Sequence, residues 1–319
     1  MMRVIGANQT IFPEVDIFVA VTTGVLTLLG VVANGLVLVA IATKKRLHKR
    51  ANALLFSLAL LDFLTCALNG PYSIITFYTT IPWPSFTVCR GMLTYGIASS
   101  LTSCLFSALI SVNGLCGIMS KRESATWNQI LVVTMTITGW LVFISVSLIP
   151  LFFIHGFTFQ PRLGVCYVNG SDETLRFAVA VFSITALSWL ISLICYVKIV
   201  NIVRVSNKRV AGASNDETVP PVNRINARNR HLINLVQTVF ITFLFYIIFF
   251  IPLLIVEMLY RADFEPHYLI YRTVCLFLWS SSAMNPYIYM YRLKDIREAI
   301  TKFILRIWNG LCARFATYD

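Results

Sequence analysis

Seven long apolar runs, each closed by a short polar stretch, lie near 17–43, 54–78, 90–119, 128–154, 177–203, 233–260 and 268–291. At roughly 1.5 Å per residue, a helix of such length crosses a hydrocarbon layer of about 30 Å. The run from Cys89 to Met119 is the one around which the others are expected to gather. Its small and polar residues (Gly96, Ser99, Ser100, Ser103, Ser107) suit a helix enclosed by other helices, where close approach matters more than lipid contact. Pro71 and Pro252 are expected to kink the second and sixth runs. Pro286, in the seventh, frees a backbone carbonyl that the neighbouring Asn285 is placed to use.

After Tyr291 the pattern changes. Apolar residues at 293, 296, 300, 303 and 304, against basic ones at 294, 297 and 302, predict an amphipathic helix lying on the inner leaflet. The polar stretch from Arg204 to His231 reads as a flexible inner loop that continues into basic helical ends. The expected fold is an all-α integral membrane protein, a seven-helix bundle with a short surface helix. It divides into a tail over 1–16, the bundle over 17–291 and a surface helix with tail over 292–319.

Composition excludes a soluble domain. Of 319 residues, 57% are hydrophobic and 13% charged, where soluble domains carry about 25% charged residues. The net charge of +12 would suit nucleic acid, but its distribution points to a membrane. With the N-terminus outside and the spans alternating, 20 Lys and Arg residues fall inside and 6 outside. That is a positive-inside bias, with an attraction to anionic lipid. Residues 1–16 hold Glu14 and Asp16 and show no cleavable leader, so the first span is expected to act as the insertion signal.

Candidate chemistry is sparse. Asp62 stands in mid-span, where an ionised carboxylate costs at least ~2.5–3.5 kcal/mol. It is expected to face the bundle interior with polar partners or a cation, the alternative being a protonated structural Asp. Of eight cysteines only Cys89 and Cys166 fall at the outer surface, and a disulfide between them is the economical reading. Cys312, in the inner tail, is a palmitoylation candidate or a plain free thiol. The sequons at Asn8 and Asn169 both fall outside and are candidate glycosylation sites. The four histidines are scattered, and no metal-ligand spacing or catalytic constellation is visible, so no enzyme activity is expected.

Taken in order, a set of residues resembles rhodopsin-like (class A) G-protein-coupled receptors over nearly the whole chain. They are Asn34 in the first span, Ser57-Leu58-Ala59 with Asp62 in the second, Cys89 opening the third and Trp140 in the fourth. Cys166 follows in the second outer loop, then Tyr196 in the fifth span, Pro252 in the sixth and Asn285-Pro286-x-x-Tyr289 in the seventh. The resemblance implies a ligand at the outer half, a change in the packing of the sixth helix, and a heterotrimeric G protein or arrestin inside. It also implies a sodium-linked pocket at Asp62, Ser103, Ser282 and Asn285, with Asn34 alongside and Tyr289 in activation. Phe250 stands where the family carries its toggle tryptophan, and Ser188 where it carries a fifth-span proline.

The inner end departs from the family. Asn113, Gly114 and Leu115 match the usual Asp/Glu-Arg-Tyr, and Leu232 stands in place of the acidic partner on the sixth span. The G-protein side would then consist of Asn113, Gly114, Leu115 and Tyr196. On the ligand side, Gly96 matches the Asp of amine receptors and Trp279 the retinal lysine of opsins. Asn69, Tyr95, Gly96, Glu257, Tyr271 and Trp279 are the candidate pocket residues, suited to a neutral small molecule or a peptide. The expected function is a plasma-membrane receptor coupled to G proteins. The alternatives are a decoy, scavenger or arrestin-biased receptor, motivated by Gly114, and a small secondary transporter, which would show internal repeats.

Overall fold

The computed structural model describes residues 13–78, 86–119, 125–154, 157–160, 165–168, 172–213, 227–261 and 268–315. Each apolar run forms a helix: α1 (Pro13–Thr43), α2 (Arg50–Tyr78), α3 (Phe86–Met119), α4 (Ala125–Phe153), α5 (Asp172–Ala213), α6 (Ala227–Arg261) and α7 (Tyr268–Arg292). α8 (Lys294–Phe315) follows, and a 3-10 turn at Lys45–Leu47 joins α1 to α2. The fold is a seven-transmembrane helix bundle. By length and composition α1 to α6 are each apolar enough to cross a bilayer. α7 is more polar, with Arg272, Ser280, Ser281, Ser282 and Asn285, and it packs against α1, α2 and α6.

α3 touches α2, α4, α5 and α6, the central place its small residues led one to expect. Helix association inside a bilayer has little hydrophobic drive and rests on close packing. Gly30 shows how this is met: a Cβ there would lie 2.5 Å from Cys66 Sγ and 3.0 Å from Ala283 Cβ, so α1 closes on α2 and α7 because the side chain is missing. The largest buried cluster joins the inner halves of the helices, with Leu54, Leu58, Phe106, Ile110, Leu235, Tyr289 and Ile296. α1, α4 and α5 turn apolar side chains outward: Leu28 is 64% exposed and Phe153 71%. Such a belt would be untenable in water and is the lipid face.

Two differences from the sequence reading stand out. The outer loop after α4 contains an antiparallel hairpin, β1 (Phe157–Gln160) with β2 (Val165–Val168), in the register Phe157–Val168 to Gln160–Val165. Short paired strands satisfy backbone groups that a bare loop would leave open. α5 runs on to Ala213, ten residues past its apolar run, which is the basic helical end expected there. α8 is longer than the amphipathic pattern foretold and docks through buried Leu293, Ile296, Ala299 and Ile300. Its first turn is tied to the α1–α2 turn by Asp295, which meets Lys49 at 2.8 Å and Arg46 at 3.2 Å. The Lys49 hydrogen bond holds the Asp295 carboxyl below the usual carboxylate range.

Candidate functional site

The centre of the bundle is polar. Asp62 is fully buried on α2, and the Asn285 side chain donates to its Oδ2 at 2.8 Å. Asp62 Oδ1 has no hydrogen-bond partner among the described residues. A cavity of about 20 Å³ adjoins it, lined by Thr65, Asn69, Ser99, Ser100, Ser103, Tyr246, Trp279, Ser281, Ser282 and Asn285 among others. Every hard donor there is an oxygen or a carboxamide, and the space suits one water or one small cation. Asp62, Ser103, Ser282 and Asn285 are therefore together, as expected. Asn34 is fully buried beside them and donates to Gly30 O at 3.0 Å and Ser282 O at 3.1 Å.

The second of these bonds revises one expectation. Pro286 lacks an N–H, which leaves the carbonyl four residues before it, Ser282 O, without its helical donor. Asn34 on α1 supplies the donor. Asn285, the residue expected to use that carbonyl, turns to Asp62 instead. Tyr289 is fully buried one turn inward.

Toward the outer end the Cys89–Cys166 disulfide joins the start of α3 to β2, with the Cα atoms 5.7 Å apart. It pins the hairpin to the bundle. Gly96 opens toward Asn69, whose Nδ2 would lie 3.9 Å from a Cβ built on the glycine. Asn69 is buried and lines the cavity together with Trp279. Tyr271 packs with Val256, Val274 and Cys275, next to Trp279. Tyr95 does not join them: its ring sits edge-on to Phe143 of α4, centroids 5.7 Å apart. Glu257 lies on α6, but its side chain is outside the described residues, as are Asn8 and Asn169. Cys312 is exposed on α8.

An aromatic column fills the seam between α5 and α6. Trp189 donates through Nε1 to Cys104 Sγ at 3.3 Å and meets Phe243, Tyr246 and Phe250 edge-on at 5.9, 6.4 and 6.1 Å. Phe250 stacks on Tyr246 at 5.7 Å, and further inward Tyr196 stacks on Phe240 at 3.9 Å. Phe250 is thus in the column, while Tyr246, one turn inward, is the residue that reaches the cavity. Ser188 returns its hydroxyl to Ile184 O at 2.8 Å.

The inner end is apolar. Ile199, Ile233 and Val236 are buried with Leu115, Ile118 and Val203 packed on them. Gly114 faces Val236 so closely that a Cβ there would lie 2.3 Å from Val236 Cγ2. Asn113 is also buried. Two polar pairs flank this seam: Arg292 Nη2 donates to Gln237 Oε1 at 3.0 Å, and His231 Nε2 meets Asn52 Oδ1 at 3.2 Å. Reading the sequence did not single out Tyr246, Trp189, Gln237 or the His231–Asn52 pair, since none of them carries a motif. Arg292 was visible only as the start of the amphipathic pattern.

Comparison with known proteins places these features. The family model "7 transmembrane receptor (rhodopsin family)" matches residues 33–289. The 5-hydroxytryptamine receptor 1D of Mus musculus is 29% identical over 178 residues, covering 54% of this chain and 46% of that protein. The human 5-hydroxytryptamine receptor 1F is 31% identical over 140 residues, covering 44% of this chain and 38% of that protein. The chain therefore spans less than half the length of these relatives. The crystal structure of squid rhodopsin superposes with a TM-score of 0.78 at 21% identity, covering 94% of this chain and 88% of that one, a likeness of fold.

Proposed function

This chain belongs to the rhodopsin family of seven-transmembrane receptors, and from that premise we propose that it carries an extracellular ligand signal across the plasma membrane to heterotrimeric G proteins. The observation that carries the reading is the polar centre. A buried carboxylate with one oxygen unpartnered among the described residues borders a cavity lined by Asn69, Trp279 and Asn285. A ligand at the outer half and a change at the inner half would both act on that cavity. The N-terminus then lies outside and α8 on the cytoplasmic leaflet.

The ligand is proposed as neutral, a small molecule or a peptide. The relatives named for 5-hydroxytryptamine take an amine, and a cationic amine bound here would find Gly96 where amine receptors hold a carboxylate. The candidate pocket is Asn69, Gly96, Tyr271 and Trp279, with Glu257 and with Tyr95 behind. We propose a sodium ion beside Asp62 Oδ1, supported by the cavity there and by Ser103, Ser282 and Asn285 in its lining. Such an ion would balance the carboxylate where desolvation is costly.

A second reading keeps the fold and loses the output, as a decoy or scavenger or through arrestin alone. Gly114 favours it, because residue 114 offers the partner neither charge nor donor. Membership of a receptor family gives the transporter alternative no support. The test is ligand-free nucleotide exchange across a panel of G proteins, with wild type and Gly114→Arg/Val236→Ala at matched surface levels. Val236→Ala is included because the arginine's own Cβ would otherwise collide with Val236. Exchange by the wild type above mock membranes is the expected result. Silence in the wild type with exchange in the variant would replace the proposal with the non-signalling reading.

A further inference from the structure

Within three turns of its inner end α6 meets three different helices. His231 reaches Asn52 of α2, Val236 fills the space that Gly114 leaves on α3, and Gln237 holds Arg292 at the end of α7. The polarity of the first pair is fixed by its surroundings. Asn52 donates its Nδ2 to Leu47 O at 2.9 Å, which turns Oδ1 toward the histidine, so Nε2 carries the hydrogen and donates. Arg292 is half-buried and only partly satisfied: Nη2 has Gln237, while Nε is buried with no partner among the described residues.

We propose that these contacts form a latch, with His231–Asn52 and Gln237–Arg292 as two polar clasps on either side of the Gly114–Val236 seam, holding the inner end of α6 against α2, α3 and α7. The proposal rests on the receptor reading, since a latch matters only if α6 opens, and it assigns to Arg292 and His231 the role of positioning residues. The geometry gives them that role for three reasons. Apolar contact through Val236 is short-ranged but not directional, so it resists compression and says little about which way α6 may swing. The two hydrogen bonds are directional and pull toward α2 and α7 from positions six residues apart on α6. The Gln237 bond also goes to a cation, which makes it the stronger of the two, yet its acceptor is a neutral amide, so it can break without stranding a buried negative charge.

The test is a distance measured between nitroxide labels on Asn234→Cys of α6 and Gln129→Cys of α4, both exposed sites. It uses the full-length receptor in nanodiscs with the exposed Cys116 and Cys312 replaced by serine. Gln237→Leu or Arg292→Gln should each shift the closed-to-open ratio about tenfold toward open. The double variant should go no further than either single one, because both remove the same bond. Adding His231→Phe to Gln237→Leu should widen the distribution again. Gln237→Glu gives Arg292 a carboxylate and should narrow it, and this variant keeps the test decisive if Gln237→Leu does not fold. Unchanged distances in Gln237→Leu/His231→Phe, or additive effects of Gln237→Leu and Arg292→Gln, would overturn the latch. Distances that move while no G protein exchanges nucleotide would leave the latch standing and remove the coupling proposal instead.

Discussion

Gly114→Ala is the smallest change that asks whether α3 and α6 truly touch. The new methyl would lie 2.3 Å from Val236 Cγ2, where carbon atoms rest about 3.5–4.0 Å apart. More than an ångström has to be found. Val236 is fully buried and β-branched in a helix, so it has one strongly preferred rotamer and little room for another. Overpacking of this kind costs roughly 1–3 kcal/mol. Against it stands the helix propensity of alanine, which favours the variant by about 1 kcal/mol. The net in the wild-type background is therefore a loss of about 0–2 kcal/mol. In a Val236→Ala background the collision is gone and the same change should stabilise by about 1 kcal/mol. The reversal of sign is the prediction, read from thermal unfolding of purified protein in detergent, where about 1 kcal/mol corresponds to ~2–4 °C. Equal stabilisation in both backgrounds would refute the close approach, because propensity alone acts without regard to residue 236.

Two further outcomes follow from the polar centre and from α8. If sodium sits by Asp62, exchanging potassium for sodium should raise the melting temperature of the wild type and leave Asp62→Asn unmoved, the stabilisation of a ligand that binds only the folded state; an equal rise in both would place the ion elsewhere. Asp295 has its folded pKa below the unfolded one, chiefly through Lys49, so its contribution is present above about pH 4 and lost as the pH falls through the folded value. Between pH 6 and 8 the Asp295→Asn variant should melt lower than wild type by no more than about 1 kcal/mol, since Lys49 and Arg46 are well exposed, and the gap should close on acidification below about pH 4. A gap that grew on acidification would contradict the assignment.

The spans, the disulfide and the gathering of Asp62, Ser103, Ser282 and Asn285 were legible because each rests on a rule that acts over a whole run or a whole face. An apolar run of spanning length must become a helix in lipid, and a buried carboxylate must find polar company. What stayed hidden depends on rotation about a helix axis. Tyr95 and Gly96 are neighbours in sequence, yet the ring turns to Phe143 and the glycine opens on Asn69. Phe250 and Tyr246 are one turn apart on α6, and the second lines the cavity. The donor for Ser282 O comes from Asn34, 248 residues away in sequence, and no local pattern could have named it. The hairpin in the outer loop escaped for a different reason: its strands are four residues each, too short for an alternation to declare itself.

The inner end draws these strands of reasoning together. An arginine at 114 would need space that Val236 occupies and an acid that Leu232 does not supply. A buried acid at 232 facing Gly114 would be an uncompensated charge, which costs several kcal/mol. The glycine and the leucine are therefore one solution, not two losses: they let α6 lie against α3 with no charge between them, among Ile199, Ile233 and Val236. A cation at this end still exists, but on α7. Arg292 sits a helix away from the usual place and is held by a neutral amide on α6. Beside it, Lys49 and Arg46 of the α1–α2 turn and Lys294 of α8 pair with Asp295 and Glu298. At residue 114 itself α3 offers neither charge nor donor, and its seam with Val236 is apolar.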